Sequence, residues 1–171
     1  MVAVALGSGI KFTPVTLYKP LSNKYFDDKI LKSRQRYGTQ LRSMYNCSEI
    51  FKESKEKARA YIFATDQNPP KGTKTIWLNF LNQETSIFLG AEKYAKQYNL
   101  PVIFCKVRKV KRGFYEINLE LLTENPNELA DGEITKMHVK ALENLIYENP
   151  QYWLWTHKRW KYKKEEVINN S

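Results

Sequence analysis

The sequence predicts an α/β fold, and three observations carry that prediction. Short apolar, β-branched runs alternate along the chain with stretches of helical periodicity. Apolar residues make up 42% of the chain, enough for a packed core and too many for a disordered one. No internal repeat or low-complexity linker breaks the pattern. The length of 171 residues suits one domain with a sizeable core. A single domain over residues 1–171 is therefore expected, closed by an aromatic and basic tail at 152–171.

Met1–Leu6 reads as the end of an apolar helix, stopped by Gly7-Ser8-Gly9. It begins without an N-cap or polar lead-in, which a buried helix rarely does, so a preceding segment is expected. Phe12–Tyr18 is apolar and β-branched and reads as a strand, followed by a turn at Lys19–Asn23. Asp27 and Asp28 suit the start of a helix to about Tyr37, with Ile30 and Leu31 on its inner face. Glu49–Arg59 reads as a polar helix. Ala60–Thr65 is the short apolar run of a buried strand, ending at Asp66. Asn68–Gly72 is a loop.

Thr75–Leu81 is a further strand. Ser86–Tyr98 reads as a helix, because Ile87, Phe88, Ala91, Tyr94 and Ala95 fall at helical spacing. Pro101–Val107 and Tyr115–Leu121 form a hairpin around the basic turn Lys109–Gly113. Gly132-Glu133 opens a last helix to about Tyr147, with Ile134, Met137, Ala141 and Leu145 inward, and Pro150 stops it.

The formal net charge of +10 favours polyanions: nucleic acid, anionic lipid head groups or an acidic carrier protein. Charge and aromatics are the only features a nucleic-acid role explains. No RNP, KH or zinc-finger pattern accompanies them, so nucleic acid is not an expected partner. Cys47 and Cys105 stand far apart, with no Cys/His cluster around either. Two reduced, packed thiols are expected, with no metal and no cofactor. No segment approaches membrane-spanning length.

Two basic regions invite an interface reading. Lys106–Arg112 is a dense cationic run at the hairpin, suited to phospholipid head groups or to an acidic carrier, and equally to a solvated tip. Lys109, Lys111 and Arg112 are its candidate contacts. The tail mixes Trp155, Arg159 and Trp160 with further cations, which suits a surface half apolar and half anionic. The competing reading packs those tryptophans under a terminal helix.

The order of the tail residues is more specific. Pro150-x-x-Trp153-x-Trp155-x-His157-x-Arg159-Trp160-Lys161 resembles the closing signature of the lipid A biosynthesis acyltransferases, the lauroyl/myristoyl branch of the lysophospholipid acyltransferase superfamily. Three further blocks resemble that family in the same order. They are Tyr18-Lys19-Pro20-Leu21-Ser22-Asn23 with Phe26-Asp27, then Arg34-x-Arg36-x-Gly38, then Ala64-Thr65-Asp66-Gln67.

The resemblance implies a mixed, mostly parallel central sheet flanked by helices, lacking its N-terminal part in this chain. It implies transfer of a fatty acyl group from a thioester donor, acyl carrier protein or coenzyme A, to a lipid hydroxyl. It also implies a place at the cytoplasmic face of the inner membrane, peripheral for this chain. In the family a His-x-x-x-x-Asp/Glu motif supplies the general base. His138 has Glu143 five residues on, but within a late helix and in the wrong place in the order. The motif is expected ahead of Met1, which makes the chain a fragment, a gene model opened at an internal methionine, or a degenerate copy.

Arg34, with Arg36 as the alternative, resembles the arginine that holds an anionic group of donor or acceptor, a task suited to a guanidinium. Asp66 resembles a polar neighbour of the missing histidine and is its possible support, with Gln67 beside it. Its other reading is an aspartate that starts a turn. The alternative to catalysis is a membrane-surface protein that binds lipid or a partner without chemistry.

Overall fold

A computed structural model describes residues 12–36, 38–52, 58–69 and 72–164. The helix and glycine stop expected at residues 1–9 lie outside the described residues. The chain folds as two compact units, one up to Ala64 and one from Thr65 onward.

The first unit is built on a three-stranded parallel sheet. Strand β1 (Thr13–Tyr18) lies between β2 (Gln40–Ser43) and β3 (Arg59–Ile62). Val15 pairs with Gln40 on one side and Tyr61 on the other. Such a centre must be apolar: Val15 is fully buried, and Leu41 of β2, paired with Thr16, is buried as well.

Helix α1 (Lys24–Gln35) joins β1 to β2. Asn23 caps it, its side-chain oxygen accepting from the N–H groups of Tyr25 (3.1 Å) and Phe26 (3.3 Å). Asp27 therefore lies in the first turn, where a carboxylate is favoured, rather than opening the helix. It accepts from the Leu21 N–H at 2.9 Å and so ties the preceding turn to the helix. Ile30 and Leu31 are half-buried, as their spacing suggests.

Helix α2 (Cys47–Lys52) begins before the expected start at Glu49, and residues 53–57 of the expected helix lie outside the described residues. Its Ile50 and Phe51 are buried, and Phe51 stacks on Tyr61 of β3 at 4.1 Å. Arg59 does not extend a helix but begins β3.

Among the described residues the second unit contains two antiparallel hairpins and two α-helices. Strands β4 (Thr75–Phe80) and β5 (Gln83–Phe88) pair in register from Thr75↔Phe88 to Phe80↔Gln83. Ser86–Phe88 is therefore strand and not the start of a helix. Helix α3 (Gly90–Tyr98) begins only after Leu89.

Strands β6 (Val102–Lys111) and β7 (Phe114–Thr123) form the expected basic hairpin, longer than the sequence suggested. Its turn needs Gly113, whose φ of +82° lies in the left-handed region. Helix α4 (Glu133–Glu148) closes the unit.

The core of this unit lies between the β4–β5 hairpin and α4. Phe80, Ile87, Val139 and Ile146 are buried together, with Ile76, Leu78 and Leu142 around them. The tail folds back onto the same core. Trp153 packs edge-on to Phe80 with centroids 5.9 Å apart, and Trp160 stacks on Phe80 at 6.5 Å. The α/β class holds. The described strands, however, lie in three small sheets, one parallel and two antiparallel pairs, where one central, mostly parallel sheet was expected.

Candidate functional site

Beyond β3 the chain leaves regular structure and reaches Thr65, Asp66 and Gln67. Asp66 and Gln67 are exposed, while Thr65 is half-buried. Beneath this block, the second unit gathers four polar side chains that an apolar core would not hold by chance: Glu92 from α3, Thr135 and His138 from α4, and Arg159 from the tail.

Glu92 is only 4% exposed. Its carboxylate accepts from the Gly132 N–H at 2.6 Å, from the Thr135 N–H at 3.0 Å and from the Thr135 hydroxyl. These are donors at the start of α4, where negative charge is favoured. Lys96, one turn along α3, lies 4.0 Å from the same carboxylate. Its ammonium donates to the Leu129 carbonyl at 2.8 Å and to Asp131 at 2.6 Å, and that bond holds the exposed Asp131 carboxyl below the usual carboxylate range.

His138 faces Thr65, with Nε2 and the Thr65 hydroxyl 3.3 Å apart. Burial pulls the imidazole pKa down to about 4. The Arg159 guanidinium lowers it further, and Glu92 opposes both. The ring is therefore neutral near pH 7 and poorly matched to general-base work, which favours a pKa near the working pH.

The His138–Glu143 spacing does not make a pair either. Five residues carry the chain about 140° around a helix, so the two side chains leave α4 in different directions. Glu143 instead accepts from the Leu81 N–H at 2.8 Å and from Lys140 at 3.1 Å.

Arg159 is 2% exposed. Nη2 donates to the Ser86 carbonyl of β5 at 2.8 Å, while Nε and Nη1 are buried with no hydrogen-bond partner among the described residues. Burial lowers its pKa to about 10, and the Asp66 carboxylate opposes that shift. The guanidinium therefore stays charged, with Asp66 as the anion that favours it. Asp66, exposed above a buried cation, can accept a hydrogen bond from a hydroxyl.

The structure thus brings together Asp66 and Arg159, which the sequence assigned to separate roles, and adds Thr65, His138 and Glu92. The cue for Glu92 was present: a carboxylate among the apolar positions Phe88, Ala91 and Ala95, with a capless Gly132 opening a later helix. Arg159 and Trp160, expected at a membrane or carrier surface, point inward. The Trp160 indole N–H donates to the buried Thr85 hydroxyl at 2.8 Å. Trp155 is exposed, as are Lys109, Lys111 and Arg112. Arg34 and Arg36 lie exposed at the C-terminal end of α1, in the first unit.

Among the described residues no group of three or more His, Cys, Asp or Glu could hold a metal, and no helix is long and apolar enough to cross a membrane. No curated protein matches the chain. The family model of bacterial lipid A biosynthesis acyltransferases matches residues 1–162, almost the full length, and includes both the Asp66-Gln67 block and the Arg159-Trp160 tail that meet in the second unit. The chain belongs to the bacterial lipid A biosynthesis acyltransferase family.

Proposed function

We propose that the chain binds the substrates of an acyl transfer in lipid A biosynthesis, from an acyl carrier protein or coenzyme A thioester to a lipid hydroxyl, at the cytoplasmic face of the inner membrane. The family match supports the reaction class. Asp66, exposed above the buried Arg159 guanidinium, supports a polar site at this end of the unit. Arg34, Arg36 and Gln67 are the remaining substrate-binding candidates.

These 171 residues do not supply the proton acceptor that the attacking hydroxyl needs. What supports this reading is the placement of His138, half-buried with Nε2 3.3 Å from the Thr65 hydroxyl, where burial pulls its pKa down. His157 follows Trp155 in the tail and has no carboxylate five residues on. The chain by itself is therefore a binding scaffold without chemistry.

The test is an assay of the purified 171-residue chain with an acyl thioester and a lipid A precursor bearing a free hydroxyl. No ester is expected, while acyl thioester or lipid precursor binds saturably and more weakly after Arg34→Ala or Asp66→Asn. Ester formation that disappears with His138→Gln would overturn the assignment of His138. Failure to bind either substrate would leave the alternative, a membrane-surface protein that contacts lipid or a partner and takes no part in the transfer.

A further inference from the structure

The far end of the β6–β7 hairpin and the loop after α4 lie side by side. The Lys109 ammonium sits 5.8 Å from the Tyr152 ring centroid, so two segments more than forty residues apart present one face. That face has an unusual composition. Lys109, Lys111 and Arg112 are exposed, and no carboxylate among the described residues pairs with them. The cations nearer the base of the hairpin differ: Arg108 is held by Glu116 and Lys106 by Glu148. Positive charge is thus neutralised along the ribbon and left unpaired at its tip.

Large apolar side chains stand among these free cations. A register shift between Lys109 and Lys111 leaves Val110 outside the ladder, where it is 61% exposed. Phe114, 58% exposed, follows the turn, with the Lys111 ammonium 4.3 Å from its ring centroid. On the neighbouring loop Leu154 and Trp155 are also more than half exposed. The Trp155 indole N–H is already satisfied by the Pro150 carbonyl at 2.7 Å, so the ring it leaves in solvent has only apolar surface to offer.

We infer that the β6–β7 tip and the Tyr152–Trp155 loop together form a docking surface for an anionic phospholipid bilayer. The cations meet lipid phosphates, and Val110, Phe114, Leu154 and Trp155 enter the boundary between head groups and acyl chains. An acidic protein would satisfy the charges as well. It would not explain apolar side chains carried on a protruding turn and loop, which a deformable lipid surface accepts without a matching groove. This surface rests on the membrane placement proposed above and gives it residues, while docking itself needs neither donor nor acceptor.

The experiment is sedimentation of the whole chain with vesicles of phosphatidylcholine alone and of phosphatidylcholine with phosphatidylglycerol. Binding is expected only with the anionic lipid, with a blue shift of tryptophan emission that Trp155→Ser diminishes. Each of Lys109→Gln, Lys111→Gln and Arg112→Gln should weaken binding about fivefold, from the usual contribution of one cation near an anionic surface. Val110→Ser with Phe114→Ser should weaken it at constant charge, with unchanged far-UV circular dichroism.

Equal binding to neutral vesicles, or apolar variants that bind like the parent, would overturn the proposal. So would tight, saturable binding of an acidic carrier protein that is lost with the same cations while the vesicles are ignored. Acyl transfer plays no part in any of these readings, so a failed transferase assay leaves them standing and they leave it standing.

Discussion

Glu92 of α3 accepts the Thr135 N–H of α4 at 3.0 Å, so one helix carries the cap of another. Gly132 occupies the N-cap position of α4 and has no side chain to do this itself. A buried carboxylate is costly to desolvate, but here it meets three donors and the positive end of a helix, and the ensemble is satisfied. The same contact locks α3 to the helix that carries His138.

Glu92→Ala leaves two N–H groups and a buried hydroxyl without an acceptor. The expected loss is about 3 kcal/mol of unfolding free energy, since each orphaned buried donor costs on the order of 1 kcal/mol or more. Glu92→Gln keeps one acceptor oxygen and should lose about 1 kcal/mol less than that. Urea denaturation of the two variants checks the order; equal losses would mean that charge rather than hydrogen bonding holds the contact.

His138 makes stability depend on pH in a predictable direction. Its folded pKa of about 4 lies below the ordinary value of 6.5, chiefly through burial. Between those values the unfolded chain binds more protons than the folded one, so acid favours unfolding. The contribution is complete above pH 6.5 and is lost as pH falls toward 4, amounting to roughly 3 kcal/mol over the whole window. Unfolding measured from pH 7 to 5, above most carboxylate titrations, should show the decline in the parent and a flatter profile in His138→Gln.

The tail separates a core role from a surface role. Trp160→Phe keeps a ring against Phe80 and removes the bond to Thr85, and should cost about 1 kcal/mol. Trp160→Ala should cost about 3 kcal/mol through lost packing. Trp155→Ala should change stability little, because its ring is 56% exposed. Thermal melts of the three variants test this; equal effects at Trp155 and Trp160 would contradict the inward placement of Trp160.

The contrast between those two tryptophans also marks what the sequence could carry. It placed both at an interface because alternation of aromatics and cations looks the same whether a segment lies on a surface or wraps onto a core. The β6–β7 hairpin was legible, since a basic turn with a glycine separates two apolar runs. The β4–β5 hairpin was not, because Ile87, Phe88 and Ala91 satisfy helical spacing and Leu81-Asn82 lacks the glycine that usually signals such a turn. Asp66 stood out in the sequence by its place after a short apolar run, which folds as the half-buried strand β3. Its relation to Arg159 was not legible, because more than ninety residues separate them and only the folded tail brings the charges together.

Gly132 can be tested as a close approach. Its φ is +87°, and a Cβ there would lie 2.9 Å from Cδ1 of Ile76. Gly132→Ala should destabilise by about 2 kcal/mol, about half from the left-handed backbone and half from the contact. Ile76→Val removes the offending methyl group, so the double variant should be more stable than the sum of the two single changes allows. A coupling of zero in that cycle would place the whole cost in the backbone.

The β4–β5 turn depends on Glu143 in a way that distinguishes this residue from a catalytic carboxylate. Leu81 and Asn82 both take positive φ, +50° and +61°, which costs about 1 kcal/mol or more for a residue such as leucine. Glu143 offsets that by accepting the Leu81 N–H at 2.8 Å, while Leu81 packs against the core. Glu143→Ala should therefore destabilise the hairpin by about 2 kcal/mol, as expected for a charge-assisted bond to a half-buried donor. Leu81→Gly relaxes the backbone but removes core packing, so it should not rescue the variant. Leu81→Asn, which tolerates the left-handed region, should recover part of the turn strain when placed beside Glu143→Ala. Hydrogen exchange at the Leu81 amide reads the result directly: protection should fall in Glu143→Ala and persist in His138→Gln, and an equal loss in both variants would make His138 and Glu143 partners after all.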